Sequence, residues 1–413
     1  MSAPSGRVLF AVVFGLLIGL SSLSAAGQSR PLSEQSQISL ITILPGDPIY
    51  TFAGHSALRV RDPAQNLDRL YNYGTFNFGD PLFIPKFTYG YLRYHLSVTP
   101  YGPMLRFYEQ QGRPVIEQRL NLTRAQRSAV YQYLRINARP DNRYYQYDFF
   151  FDNCSTRIRD VLTDTLGSTV DFSNVSSPNR SFRELLDPYV ASRPLLDLGF
   201  DLALGLPADR TATACEVMFL PEHLMQAFEE AHVSAKGQRR PLVTRTDTVQ
   251  WVSGYDGMAP AWDWPTWLST GILLLTGGWS IWQGATQQLS RRWGDAILFA
   301  GVGLTGLTIC YLWFISTYTV TDNNLNLLWA WPTHLLAASV LLRRPTSRAL
   351  HLYMRVTAGA SLLFALGWPF WPQNFHAAVL PLTLAVGIRA GWWGLLRSSV
   401  SIGVLSKEST VVS

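Results

Sequence analysis

The chain has 413 residues, a formal net charge of +6 and 47% apolar residues, among them 14 tryptophans. Three cysteines are too few for a disulfide scaffold, and the basic excess lacks the aromatic interleaving that binds nucleic acid. No His or acidic spacing suits a metal ion, and no glycine-rich phosphate loop opens a helix, so neither metal nor cofactor is expected.

In chain order, residues 1–26 carry Arg7, then the apolar run "VLFAVVFGLLIGL", then small residues up to a possible cut after Ala26, which is the order of a secretory signal. The alternative is an uncleaved anchor helix; either one exports the segment C-terminal to it. "QISLITILPGDPIYTFAGHSALRV" reads as strand, turn and strand, "RLYNYGTFNFG" as a third strand, and "LRFYEQQGRPVIEQRLNL" as two more. Thr123 and Gln126 stand at capping-box spacing, so a helix starts there. A loop-like stretch begins near Ser173, and "AKGQRRPLVTRTDTVQ" resembles a tether to the membrane.

After Trp262 the apolar residues gather into blocks of bilayer-spanning length. Five spans are expected, at Trp264–Gln283, Asp295–Ser316, Leu325–Leu342, Leu350–Trp371 and Phe375–Leu396. "QQLSRRWGD", "LLRRPTSR" and the tail are basic, whereas "STYTVTDNNLN" and "PFWPQNFH" lack Lys and Arg, so an odd count with the soluble part outside obeys the positive-inside rule. Arg389 lies inside the fifth block and must snorkel or meet a polar partner. The chain thus divides into a signal (1–26), an exported α+β domain (30–250), a helical membrane bundle (264–396) and a cytoplasmic tail (397–413), giving a multi-pass inner-membrane protein.

The chemistry centres on "FFFDNCSTRIRD", residues 149–160. Ile158, Val161, Leu162 and Leu166 keep helical spacing, Gly167 stops the helix, and Asp152 or Asn153 caps its start. Cys154 then falls in the first turn, where the helix dipole and free N–H groups are expected to lower its pKa and suit it as a nucleophile. The N–H groups near Asn153 and Ser155 offer an oxyanion site. A base is also needed. His55, in a strand after Gly54, is the candidate; Gly54 leaves room for a substrate or for the turn that carries Cys154. Asn72 is the candidate third member, with Asp62, Tyr71 and Tyr73 as rivals. Strand alternation places His55 on the face opposite Leu58 and Val60, so that face must be covered or the strand irregular at Gly54. Tyr73 and His334 are possible substrate-lining residues, although His334 and its neighbouring tryptophans also suit the outer membrane interface. The aromatic runs "FIPKFTYGYLRYHL" and "YYQYDFFF" either dock an apolar ligand or fill the core. Cys154 and Cys215 can alternatively pair as an exported disulfide, and Cys310 reads as an apolar filler.

"ITILPGDPIYTFAGHSALRV", "YNYGTFNFGDP", "FFFDNCSTRIRD" and "NNLNLLWAWPTH" together resemble the Lnb family of lipoprotein N-acyltransferases. More distantly, His on a strand and Cys at a helix start is similar to circularly permuted papain-like enzymes such as lecithin:retinol acyltransferase. The resemblance implies a permuted papain-like periplasmic domain, with Cys154 as the thiol nucleophile and His55 as its base. It also implies a membrane phospholipid as acyl donor and a diacylglyceryl-cysteine lipoprotein as acceptor. The competing readings are a membrane-tethered cell-wall peptidase or amidase with the same pair, and a non-enzymatic assembly factor stapled by a Cys154–Cys215 bridge.

Overall fold

The computed structural model describes residues 31–396 apart from 77, 78, 80, 256, 258, 287–291 and 344–346. The expected signal and basic tail lie outside the described residues, as do the middles of two basic loops.

The exported part is built on a seven-stranded antiparallel sheet of order β10-β5-β1-β2-β3-β4-β6. Its strands are β1 (Gln37–Ile43), β2 (His55–Asp62), β3 (Leu67–Thr75), β4 (Arg93–Pro100), β5 (Val115–Leu120), β6 (Tyr144–Gln146) and β10 (Val243–Gln250). A small second sheet joins β7 (Val170–Asp171), β8 (His232–Ala235) and β9 (Gln238–Pro241). The helices of this part are α1 (Phe83–Tyr89), α2 (Tyr101–Gln110), α3 (Arg124–Asn137), α4 (Cys154–Leu166), α5 (Phe182–Val190), α6 (Pro194–Ala203) and α7 (Pro221–Glu230).

Alternation along the strands explains which helix covers which face. Ile38, Leu40, Leu58 and Val60 point to one side, against Val130 and Leu134 of α3, Ile158, Val161 and Leu162 of α4, and Leu224 and Phe228 of α7. Ile41, Ile43 and Ala57 point to the other side, where Tyr101 and Tyr108 of α2 cover them. The face that carries His55 is therefore covered, which resolves the alternation that otherwise left it stranded. Arg59, on that same face, lies 3.5 Å from the centre of the Tyr101 ring.

Two sequence expectations fail here. Tyr101–Gln110 is a helix rather than a strand, because its apolar positions follow a helical repeat that a density of aromatics had disguised. The supposed tether is β8, β9 and β10, and β10 pairs with β5 as an edge of the main sheet. Its charges lie on an edge strand, where they discourage further pairing. "Thr-Arg-Thr-Asp-Thr-Val" keeps the period-2 pattern that the tether reading overlooked.

The C-terminal region consists of α8 (Trp264–Thr286), α9 (Arg292–Phe314), α10 (His334–Leu341), α11 (Arg348–Leu366) and α12 (Val379–Gly391), the last continued by a π-helical turn over Trp392–Leu396. Among the described residues, α9 and α11 are long and apolar enough to cross a membrane. Helix α8 has the same 23-residue length as α9, but Ser, Thr, Gly and Gln dilute its apolar content. The expected third span is not one helix: Leu325–Leu328 is a 3-10 turn, and α10, with 8 residues, reaches only about 12 Å. Pro332, which has no N–H to donate, separates the two. Outward-facing Leu274, Leu275, Ile281, Leu304, Leu352 and Leu363 are all more than half exposed, an apolar surface that suits lipid.

Arg389 has its polar partner. Nε and Nη2 donate to the two oxygens of Asp295 at 2.5 and 2.8 Å, and Nη1 donates to Ser280 and Gln283. The Trp393 indole donates to the same carboxylate at 2.8 Å, so three helices are tied through one satisfied buried pair.

The two regions are docked by side chains that seek backbone. Asn324 Nδ2 donates to the Leu202 and Ala203 carbonyls, Asn326 Nδ2 to that of Asp201, and Gln373 Nε2 to that of Leu204. The Gly205 N–H donates to Val320 O at 2.9 Å. A Cβ on Gly205 would fall 1.9 Å from Asp322 O, so only glycine permits this approach.

Candidate functional site

Several elements end together at one edge of the main sheet. The last residue of β1, Ile43, pairs with both His55 at the start of β2 and Val115 at the start of β5. Strand β3 runs antiparallel to β2 and ends here, at Thr75. Helix α4 begins here too, with Cys154 as its first residue.

Asn153 builds that helix start. Its Oδ1 accepts from the Ser155 and Thr156 N–H groups at 2.8 and 3.0 Å, and Thr156 Oγ1 accepts from the Asn153 N–H at 2.8 Å. Nδ2 donates to the Phe149 and Phe219 carbonyls at 2.7 and 2.8 Å, which leaves no part of the buried amide unused. Asp152, the rival cap, pairs with Arg157 instead. The phenylalanines anchor this turn: Phe149, Phe150 and Phe182 pack around Phe219, so most of "DFFF" is core.

Cys154 and His55 are both partly exposed, and their chain neighbours touch. Ser155 Oγ and Ser56 Oγ lie 3.0 Å apart in a buried hydrogen bond, and the Ser56 N–H reaches the Cys154 thiol. Gly74, at φ +86°, lets the chain pass close to the sulfur-bearing residue: a Cβ there would sit 3.6 Å from Cys154 Cβ and 4.0 Å from the Tyr147 ring. Sequence reasoning credited Gly54 with that clearance. Gly54 instead serves backbone geometry, with φ +82° and a hypothetical Cβ 2.7 Å from Ile43 O. A glycine near the end of a strand was the available signal for Gly74, which lies inside the break in the β3–β4 register between Asn72 and Thr75.

The electrostatics correct one expectation. Burial pushes the Cys154 thiol up, and the N–H groups of Ser56, Cys154 and Ser155 with the Ser155 hydroxyl only partly offset it. Burial, reinforced by the Arg113 guanidinium, lowers His55 to about 4, while Asn72 pulls the other way. At neutral pH the resting pair is therefore uncharged thiol and uncharged imidazole. Helix position alone favoured a thiolate, but desolvation outweighs it.

Asn72 is buried at 4% exposure and approaches the imidazole, yet its Oδ1 closes no hydrogen bond of good geometry. Its Nδ2 donates to Thr99 Oγ1 at 3.3 Å. The rivals are placed elsewhere. Asp62 caps the far end of β2, where it accepts from Ser33. Tyr71 and Tyr73 are core residues beneath the sheet, so Tyr73 does not line the surface. The Ser155 N–H is engaged by Asn153, which narrows the free donors beside the thiol to Ser56 and Cys154 itself.

His334 is fully buried among the C-terminal helices. Tyr353 OH lies 2.6 Å from Nδ1 and the Trp329 carbonyl 3.2 Å from Nε2, so both ring nitrogens are occupied and neither faces a substrate. All three cysteines are free, and Cys215 is exposed, so the bridge to Cys154 does not form.

From the thiol an aromatic ladder descends toward the C-terminal helices. Tyr147 stacks on Tyr94 at 4.2 Å, Tyr94 on Phe76 at 4.9 Å, Phe76 on Phe83 at 5.5 Å, and Phe83 on Phe87 at 6.2 Å. Phe87 reaches Tyr318, just beyond α9, at 6.4 Å, and the Thr317 N–H donates to Tyr89 O at 2.9 Å. Cavities of about 240 and 140 Å³ lie elsewhere, near Arg119 and Arg245 and near His223, and hold none of these residues.

Cys154, a free thiol, and His55 stand at the same end of the main sheet, in a domain docked onto apolar helices; this is a membrane protein with a periplasmic domain. Residues 32–188 match the Lnb N-terminal periplasmic domain and residues 262–399 the Lnb transmembrane domain. The chain belongs to the Lnb family. No curated protein and no solved structure matches it.

Proposed function

We propose that the protein is a lipoprotein N-acyltransferase that works through a thioester on Cys154. His55 takes the thiol proton as sulfur attacks an ester carbonyl of a membrane phospholipid. The C–S bond forms, the C–O bond breaks, and His55 returns the proton to the departing lysophospholipid alcohol. The N-terminal amine of a diacylated lipoprotein then attacks the thioester; the C–N bond forms, the C–S bond breaks, and His55 carries the amine proton back to sulfur. Two displacements replace one difficult ester-to-amide exchange. The N–H groups of Ser56 and Cys154 would hold the oxyanion in each step, and Asn72 would steady the imidazole once substrate tightens the site.

The observation that carries this reading is the contact between the Ser56 backbone, adjacent to His55, and the Cys154 thiol, in a domain whose aromatic ladder leads to the apolar C-terminal helices. The ladder supports an acyl chain as cargo, because its rings stack in series from Tyr147, near Cys154, to Tyr318, with Phe87 exposed along the way. A helix carrying Cys at its start, packed on an antiparallel sheet bearing His, also supports a permuted papain-like ancestry. The C-terminal region is read as a multi-pass inner-membrane bundle, in which α9 and α11 span and the shorter helices complete the packing. No Gly-rich or acidic feature favours a peptide substrate. Mass spectrometry of the purified full-length protein after exposure to phospholipid tests the proposal: an acyl adduct on Cys154, absent in Cys154→Ser, is expected. Unchanged lipoprotein N-acylation by Cys154→Ser membranes would exclude it.

A further inference from the structure

Arg113 lies two residues before β5, at the sheet edge where Val115, Ile43 and His55 are in register. Strands β5 and β2 flank β1, so the arginine backbone is about 10 Å from that of His55, a distance a long side chain covers. The side chain is 3% exposed, and Gly46 makes room for it, since a Cβ there would lie 2.7 Å from Arg113 Cδ.

Its guanidinium is only partly satisfied. Nε donates to Leu44 O at 2.9 Å, Nη1 makes a long contact with Gln111 at 3.5 Å, and the face approaches the Tyr108 ring at 5.4 Å. Nη2 is buried without a partner, and among the described residues no carboxylate pairs with this cation. A buried, unpaired guanidinium nitrogen is unfavourable for folding and is retained where an anion completes it. Arg193, which donates to Gly46 O at 2.6 Å across the same turn, also keeps one buried nitrogen without a partner. Two incompletely paired cations thus bracket residues 44–48, beside the imidazole.

We infer that the Arg113 guanidinium is the phosphate-binding group of the site, gripping the phosphodiester of the acyl donor while Cys154 attacks its ester; this rests on the acyl-transfer reading above. The oxyanion of the reaction develops at the thiol, where Ser56 and Cys154 supply N–H groups. Arg113 stands across the intervening strand β1, and its long side chain shortens that gap toward the few bonds that part the phosphate of a glycerophospholipid from its ester carbon. A planar fork of N–H donors matches phosphate oxygens. Tyr50, half exposed and within electrostatic range of Arg113, packs edge-on against Phe76 at 6.3 Å, so the aromatic ladder passes near the anion site. The headgroup would rest at Arg113 and the chain along Phe76, Phe83 and Phe87.

The test compares two donors on full-length protein in detergent micelles, phosphatidylglycerol and a diacylglycerol with the same chains, by the rate of thioester formation on Cys154. The expected result is a preference for phosphatidylglycerol that collapses by about 100-fold in Arg113→Gln. An effect through His55 would slow both donors alike, so an unchanged preference overturns the assignment. Should Arg113→Gln react with neither donor, Arg113→Lys decides by the same criterion: a weakened preference supports phosphate binding and an intact one overturns it. If the wild-type protein forms no thioester with either donor, the acyl-transfer reading itself falls, and this inference with it.

Discussion

The uncharged resting pair makes a quantitative prediction about pH. His55 acts as a base only when neutral, and its pKa of about 4 leaves roughly 90% of it neutral at pH 5. An ordinary histidine near 6.5 would be about 3% neutral at that pH, so the two cases differ by ~30-fold in rate. The sign is fixed by the direction of the shift: acidification removes activity only as pH passes down through 4. The thiol, raised above its ordinary value of 9.0, should behave in the complementary way, its iodoacetamide alkylation rising with pH up to and beyond 9. The assays are thioester formation from a neutral ester between pH 4 and 8, and alkylation of Cys154 in a Cys215→Ser background, because Cys215 is exposed. An acid limb near pH 6.5 would refute the lowered imidazole, and an alkylation plateau between pH 5 and 8 would refute the raised thiol and establish a thiolate–imidazolium pair.

Asn153→Ala removes a cap and strands two buried carbonyls, which should lower stability by about 3 kcal/mol and shift thermal unfolding in detergent by several degrees; a loss under about 1 kcal/mol would show the cap to be dispensable. Gly74→Ala forces a side chain to φ +86°, a strain of about 1–2 kcal/mol, and narrows the space before the thiol, so thioester formation should fall at least tenfold; full activity would contradict the placement of Gly74. Asp295→Asn should destabilise the helical region by about 3–5 kcal/mol, because it leaves Arg389 without its charge partner. Combining Asp295→Leu with Arg389→Met should recover most of that stability in the same melting assay, and failure to do so would give the pair a role beyond packing.

What could be read from the sequence was local. The start of α4 was visible because capping and a 3.6-residue repeat act within one turn, and the cap is Asn153 rather than Asp152 only because Phe149 and Phe219 offer it carbonyls. His55 could be found because a strand pattern, with Leu58 and Val60 alternating against arginines, lies directly after it. Gly74 and Arg113 were missed because their roles depend on register across β1, β2, β3 and β5, which one strand does not encode. The thiol's direction of shift was misjudged for the same reason: a helix start is written in sequence, whereas desolvation is set by everything packed over it. The break within the third apolar block went unread for a different reason, since hydropathy tallies apolar residues without regard to the interrupted backbone at Pro332.

The asparagine and glutamine side chains that grip the carbonyls of residues 201–204, with Gly205 pressed against Asp322, have a mechanical result. These contacts hold the sheet domain on the helices without a swivel at this joint. If Cys154 transfers acyl groups as proposed, its sulfur would stand at one fixed elevation, and the reach of an acceptor beyond its lipid anchor would be the ruler by which substrates are measured.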